Sequence, residues 1–427
     1  MQTCDLYISD SLPGKKIIRY VMLLIAQNKG LKLNFVTSVS AQGINISEAQ
    51  DSDFPVSEIF YRKIFAKQFE HSLHLDNDFY IRTERGEIDP IASVFYHVNC
   101  LQEYHVNGKG FLGRFSYDQS LQHRFGIVRR NIVQEIIDQL FLSHPKFSKL
   151  QTTNRPSRVF LSHDIDTVNG AIREDGYYAL KKGDLKSFLK IAGQHFSGKP
   201  SWFNMDKIMC IEEEEEFRSV FYWLPEESRM NADYNIHSEK IRDQIKQVSR
   251  AGWENGLHKS LAEQSIARER EFLPEMPVGN RFHFLNYTLP GGFAKIEESG
   301  IQLDSSVGFT EESGFRNNYG LPFQPFNLDE QRVYRFVEVP MQVMDRTFFR
   351  KQIPVEDTYR ELAEWFKGQL FNTVISLNFH NNFFSDFKYK GYEELYRNLL
   401  RWFNANGIKG ISQDEIITEY GDATFFN

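Results

Sequence analysis

An α/β fold on parallel strands, in a barrel or a doubly wound sheet, is what the sequence predicts for residues 151–427. Three observations lead there. Strand-like and helix-like segments alternate along this stretch, and parallel strands with crossover helices are the usual solution to that pattern. In the strand TVISLNFH, Val374, Ser376, Asn378 and His380 share one face, and Ile375, Leu377 and Phe379 the other. That alternation suits a polar inner face lining a site and an apolar outer face under helices. Finally, residues with useful chemistry stand where several strands end, and barrels of this type carry their chemistry at the C-terminal strand ends.

The elements follow in chain order. The first residues, MQTCDLYISDSLPGKK, lack a signal-peptide layout, and the apolar run from Tyr20 to Ala26 is too short to span a bilayer. A cytoplasmic protein without a transmembrane segment is therefore expected. Ile17, Val21, Leu24 and Ile25 are spaced as one face of a helix. His71 and His74, in FEHSLHLDND, read as solvated polar residues at a helix end rather than as a ligand pair. Ile132, Val133, Ile136, Ile137 and Leu140 predict an amphipathic helix. The polar stretch KFSKLQTTNRPS (146–157) then marks a boundary, giving expected domains 1–150 and 151–427. Strands are expected at Val159–Asp164, Val220–Leu224, Trp253–His258, Gln302–Ser305, Phe336–Val343, Val374–His380 and Gly407–Ser412. The clearest helix runs from Glu239 to about Arg250, with Ile241, Ile245 and Val248 on one stripe and Ala251-Gly252 as its stop.

Composition narrows the function classes. A net charge of −7 argues against a dedicated nucleic-acid binder. Cys4, Cys100 and Cys210 lie far apart with no Cys-x-x-Cys, which excludes a zinc knuckle and fits a reducing compartment. The acidic run Glu212–Glu216 reads as a solvated helix face. Aromatic residues make up 15% of the chain, and core packing is their commoner use.

The strand ends carry the chemistry. Asp164 and Asp166 close the first barrel strand, His258 closes GWENGLH, Asp304 closes GIQLDSS and His380 closes TVISLNFH. Period-two alternation turns Asp164 and Asp166 the same way and sends His163 to the opposite face, as a buried, hydrogen-bonded histidine. Two adjacent carboxylates need a cation or a shared proton. Carboxylate with imidazole suits zinc, with cobalt, nickel or manganese as further choices. One aspartate would bind the ion and the other act as base beside its water.

These residues resemble the motifs of the NodB-homology polysaccharide deacetylases, carbohydrate esterase family four. Asp164-Ile165-Asp166 is similar to that family's first motif, His258 after GWENGL to its second, Arg281 in GNRFHF to its third, Asp304-Ser305 to its fourth and His380 to its last. NYTLPGGFAKIEESGIQLDSSVGF, FRNNYGLPFQPFNL, VEVPMQVMD and NFHNNFF resemble one cytoplasmic-type branch of the superfamily. The stretch from Asp89 to Ile136, which opens DPIASVFYHVN and closes RRNIVQEI, resembles the N-terminal domain that often precedes such deacetylases.

The resemblance implies a distorted (β/α) barrel of the NodB-homology deacetylase type, preceded by a smaller α/β N-terminal domain. It implies a metal-dependent hydrolase that removes an N-acetyl group, acting on a C–N bond of an amino sugar in a glycan or glycan precursor. On that reading Asp166 and His258 bind the metal, Asp164 is the base, Arg281 holds Asp164 ionised, and His380 protonates the departing amine. Asp304 orients His380, shapes the pocket or caps a turn, while Tyr287 and Trp202 are the candidates for contact with the sugar. The chain departs from the family at one place. The usual second motif is His-(Ser/Thr)-x-x-His, and here Ala262 stands where its second histidine would be. His283, two residues after Arg281, is the candidate replacement ligand. The lost histidine keeps two alternatives open: an inactive deacetylase fold that binds carbohydrate, and a hydrolase of a non-sugar linear amide.

Overall fold

The computed structural model describes residues 2–48, 52–68, 75, 78–104 and 106–422. His71 and His74 lie outside the described residues. The first strand, β1 (Gln2–Ile8), is the centre of a three-stranded parallel sheet, between β2 (Leu31–Val36) and β3 (Ile44–Ile46). The helix Lys15–Lys29 links β1 to β2 and ends at Gly30, whose φ of 67° is the left-handed conformation glycine adopts most easily. Its expected face of Ile17, Val21, Leu24 and Ile25 is buried, and so are Tyr20, Met22 and Leu23 beside it. The helix Ile132–Ser143 is capped by Asn131, whose side chain accepts from the Gln134 N–H.

The second sheet is assembled from β4 (Arg158–Ile165), β5 (Ser219–Trp223), β6 (Glu254–Lys259), β7 (Gly279–Phe282) and β8 (Leu303–Asp304). A two-stranded antiparallel excursion, β9 (Phe326–Asn327) and β10 (Arg332–Val333), stands apart from it. The sheet is completed by β11 (Val337–Glu338), β12 (Val343–Met344), β13 (Val374–Asn378) and β14 (Lys409–Gly410). Its order is β11-β8-β7-β6-β5-β4-β13-β12, with β14 also on β4, and every pairing is parallel.

The expected strand Phe336–Val343 is in fact two short pieces on opposite edges of this sheet: β11 pairs with β8, and β12 with β13. Pro340 lies between them, has no N–H to give a ladder, and interrupts the strand. One short stretch of chain therefore joins both edges, and the sheet is curled into a half-barrel, consistent with the expected distorted barrel. β7 was not among the expected strands; four residues, two of them polar, give too short a pattern to read.

Outer-face residues Val159, Leu161, Ile165, Ile375, Leu377 and Phe379 belong to the core under the helices. Inner-face Phe160, Val220, Tyr222, Leu303 and Val374 belong to a second core, continuous with that of the first 150 residues. The acidic run is not solvated throughout. Glu212 is fully buried, because four donors converge on it: His163 Nε2 at 2.8 Å, Ser219 Oγ at 2.8 Å, Trp253 Nε1 at 2.5 Å and the Tyr396 hydroxyl at 2.6 Å. Among the described residues no helix is long and apolar enough to cross a membrane.

Candidate active site

Parallel register brings the polar strand ends together. His258 on β6 is the register partner of Arg281 on β7, so their side chains leave the same face. The His258 ring is fixed by its Nδ1, 2.9 Å from the Arg281 carbonyl oxygen, which turns Nε2 toward the cleft. That Nε2 lies 3.4 Å from Asp166 Oδ1 and 3.6 Å from Asp164 Oδ2. His283 begins a tight turn in which Phe284 and Leu285 both have positive φ, 57° and 51°. Such backbone is strained for residues with a Cβ, and here it accompanies an inward-turned His283. Its Nδ1 stands 3.0 Å from His258 Nε2 and 3.6 Å from Asp166 Oδ1.

Asp166, His258 and His283 thus each offer one ligand atom, all within 4.8 Å of one another. The donor set fits a divalent ion of the zinc type, which accepts carboxylate oxygen and imidazole nitrogen. Asp166 Oδ1 is buried without a hydrogen-bond partner, and such an orphaned oxygen is costly unless a cation meets it. Burial lowers the His283 pKa to about 3, so its ring is neutral, the form that binds metal.

The other residues form two paired devices. Asp164 is buried; burial opposes its ionisation, but Arg281, His258 and His380 outweigh that and hold its pKa at about 2. Arg281 Nη1 donates to Oδ1 at 2.9 Å and Asn378 Nδ2 to Oδ2 at 2.8 Å. Arg281 is itself held by Ser305, through Nε to the carbonyl and Nη2 to Oγ, each at 2.9 Å. The second device is His380 with Asp345. Asp345 Oδ1 lies 2.7 Å from His380 Nδ1, and its Oδ2 accepts from the His380 N–H at 2.6 Å. His380 Nε2 then points at the two aspartates, 3.9 Å from Asp164 Oδ2 and 3.7 Å from Asp166 Oδ2.

Three expected site residues are elsewhere. Trp202 is fully buried, its Nε1 donating to Asp175 Oδ2 at 2.8 Å. Tyr287 is in the core, stacked on Phe282 at 5.3 Å between ring centroids. Asp304 is fully buried, accepts from Asn280 and the Ser306 N–H, and does not contact His380. None of the three lines the cleft, whose walls include Phe284, Thr310, Met344, Arg346 and Arg350. Their side chains were placed by packing, which residue type alone does not reveal.

Ala262 follows β6 in a loop rather than on a helix, and its carbonyl accepts from Lys259 Nζ at 2.9 Å. Lys259 is in turn buried against Glu269 at 2.6 Å. Sequence reasoning missed Asp345 and Arg346. Asp345 follows the short strand β12 and could have been found by the strand-end rule. Arg346, whose Nη2 donates to Asp166 Oδ2 at 2.9 Å, carries no such signal.

Residues 12–143 match a family described as a family of unknown function (DUF7033). None of the curated proteins matches the chain. Among solved structures, a candidate polysaccharide deacetylase from Mycobacterium smegmatis is similar at 12% identity and a TM-score of 0.38, over 63% of this chain and 94% of its own. A 4-alpha-glucanotransferase from Thermococcus litoralis is similar at 12% identity and a TM-score of 0.36, over 62% of this chain and 38% of its own.

Proposed function

We propose that this chain is a metal-dependent hydrolase that removes an N-acetyl group from an amino sugar. The observation that carries the reading is the convergence of three potential ligands with two separately oriented proton-transfer groups. Asp166, His258 and His283 would hold the ion, zinc being the first choice. When bound, such an ion polarises the acetamide carbonyl and acidifies water. Asp164, ionised and fixed by Arg281 and Asn378, takes the proton from the attacking water. His380, kept in one orientation by Asp345, gives a proton to the amine nitrogen as the C–N bond breaks. Water oxygen ends in acetate and the sugar keeps the amine. The free space among the site residues is about 20 Å³, room for an ion or a water. The sugar ring therefore lies outside, toward Arg350 and Phe284.

A second reading is a metal-free carbohydrate-binding site, and Arg346 favours it. Its guanidinium already meets Asp166 Oδ2, where it competes with a metal cation for the carboxylate. Metal content decides between them. After incubation with zinc, the wild type should hold about one ion per chain, and His258→Ala and His283→Ala should both lose it. Acetate should be released from N-acetylglucosamine oligomers by the wild type alone. An empty wild type after zinc, cobalt and nickel would leave the binding reading.

A further inference from the structure

Between β4 and the helix Met205–Glu214 the chain inserts a helical hairpin, Ala171–Lys181 and Leu185–Phe196. The hairpin begins and ends beside the candidate active site. Asn381, next to His380, donates from Nδ2 to the carbonyls of both Thr167 and Trp202, which flank the hairpin's two ends. Lys388 Nζ also reaches Glu174 on the first helix at 2.6 Å.

The outer surface of this hairpin is apolar where a solvated insertion would be polar. Tyr177, Leu180, Leu185, Leu189 and Phe196 are all exposed, Phe196 by 84%. Leu185, Leu189 and Phe196 fall on one stripe of the second helix, while Ile191 is buried against the protein. The same segment is basic in an acidic chain. Lys181, Lys182, Lys186, Lys190 and Lys199 are exposed, and none forms an ion pair with a carboxylate among the described residues. Lys186 and Lys190 each follow a stripe leucine by one residue, so they border the apolar stripe. Exposed Leu and Phe bordered by lysines are the pattern of a helix that lies in a membrane interface.

We propose that the hairpin 171–196 docks this face of the protein on an anionic lipid bilayer. A second copy of the chain fits less well. In a two-fold dimer the patch would meet itself, setting lysines against lysines, and lysine is depleted from protein interfaces. Anionic headgroups supply the missing counter-charges, and the acyl boundary takes the leucines and phenylalanine. The inference does not depend on the hydrolase reading.

The test is flotation of the full chain with phosphatidylcholine vesicles, with and without phosphatidylglycerol. The wild type should float with the anionic vesicles, stay behind with the neutral ones, and be released by high salt. Lys186→Glu with Lys190→Glu should lower the partition coefficient at least about tenfold, since each lysine near such a surface contributes roughly fivefold. Leu189→Ser with Phe196→Ser should abolish flotation while leaving the thermal melt unchanged, because both side chains are exposed. Absence of wild-type flotation, or flotation indifferent to both double variants, overturns the proposal. So does a concentration-dependent dimer in sedimentation velocity that Leu189→Ser with Phe196→Ser dissolves.

Discussion

Asp164 and Asp166 differ in their partners. Asp164 has both oxygens occupied by neutral or cationic donors from β7 and β13, whereas Asp166 keeps one oxygen bare beside His258 and His283. In the proposed reaction, that asymmetry is the reason to take Asp164 as the base and Asp166 as the ligand. Asp164→Asn keeps the shape and removes the charge. Turnover should fall by roughly 10²–10⁴, the usual contribution of a positioned acid or base, while metal content stays as in the wild type. Retained turnover would remove Asp164 from the base role. At this scale the sequence was legible where alternation governs. It sent His163 away from the aspartates, and the ring is indeed buried against Glu212 and the Phe379 carbonyl. It was not legible for Arg346, because its contact with Asp166 depends on which sheet edge β12 joins.

Between elements, the pairing of β11 with β8 sets Glu338 directly opposite Asp304. Both are fully buried. Glu338 Oε1 accepts from the Ser306 and Val307 N–H groups, but Oε2 meets no donor, so the two carboxyls are best satisfied by sharing a proton. Burial raises Asp304 to about 6 and, with the Asp304 charge beside it, pushes Glu338 well above its ordinary value. The folded state therefore holds a proton that the unfolded chain releases near pH ~4. The stability contributed by that proton is complete below about pH 4 and is lost as pH rises through about 6 and beyond. Glu338→Gln can keep the Oε1 contacts and donate from Nε2 to Asp304. Its melting temperature should decline less than the wild type's between about pH 5 and pH 9; parallel declines would show that the pair shares no proton. Alternation marked the strand Gln302–Ser305, but it could not show that the next strand would break at Pro340 and bring a second carboxylate to the same place.

Over the whole molecule, the first 150 residues and the barrel are joined by polar contacts that no local pattern announces. Arg316 Nε and Nη2 reach the two oxygens of Glu103 at 2.8 and 2.5 Å, both side chains almost fully buried. The Tyr20 hydroxyl donates to the Gln324 carbonyl at 2.9 Å, and Asn99 Oδ1 accepts from the Phe326 N–H at 2.8 Å. Arg114 extends from the first part to the Phe284 carbonyl in the cleft wall. The polar composition of 146–157 was readable, because composition is local. The Glu103–Arg316 pair, 213 positions apart, was not. These contacts and the continuous core predict one cooperative unit. Urea unfolding should show a single transition with fluorescence and circular dichroism coincident. Glu103→Ala strands a buried guanidinium and should cost about 3–5 kcal/mol, still in one transition. Two separated transitions in the wild type would mean that the regions fold independently, and a loss below about 1 kcal/mol would mean that Arg316 finds water or another acceptor when Glu103 is gone.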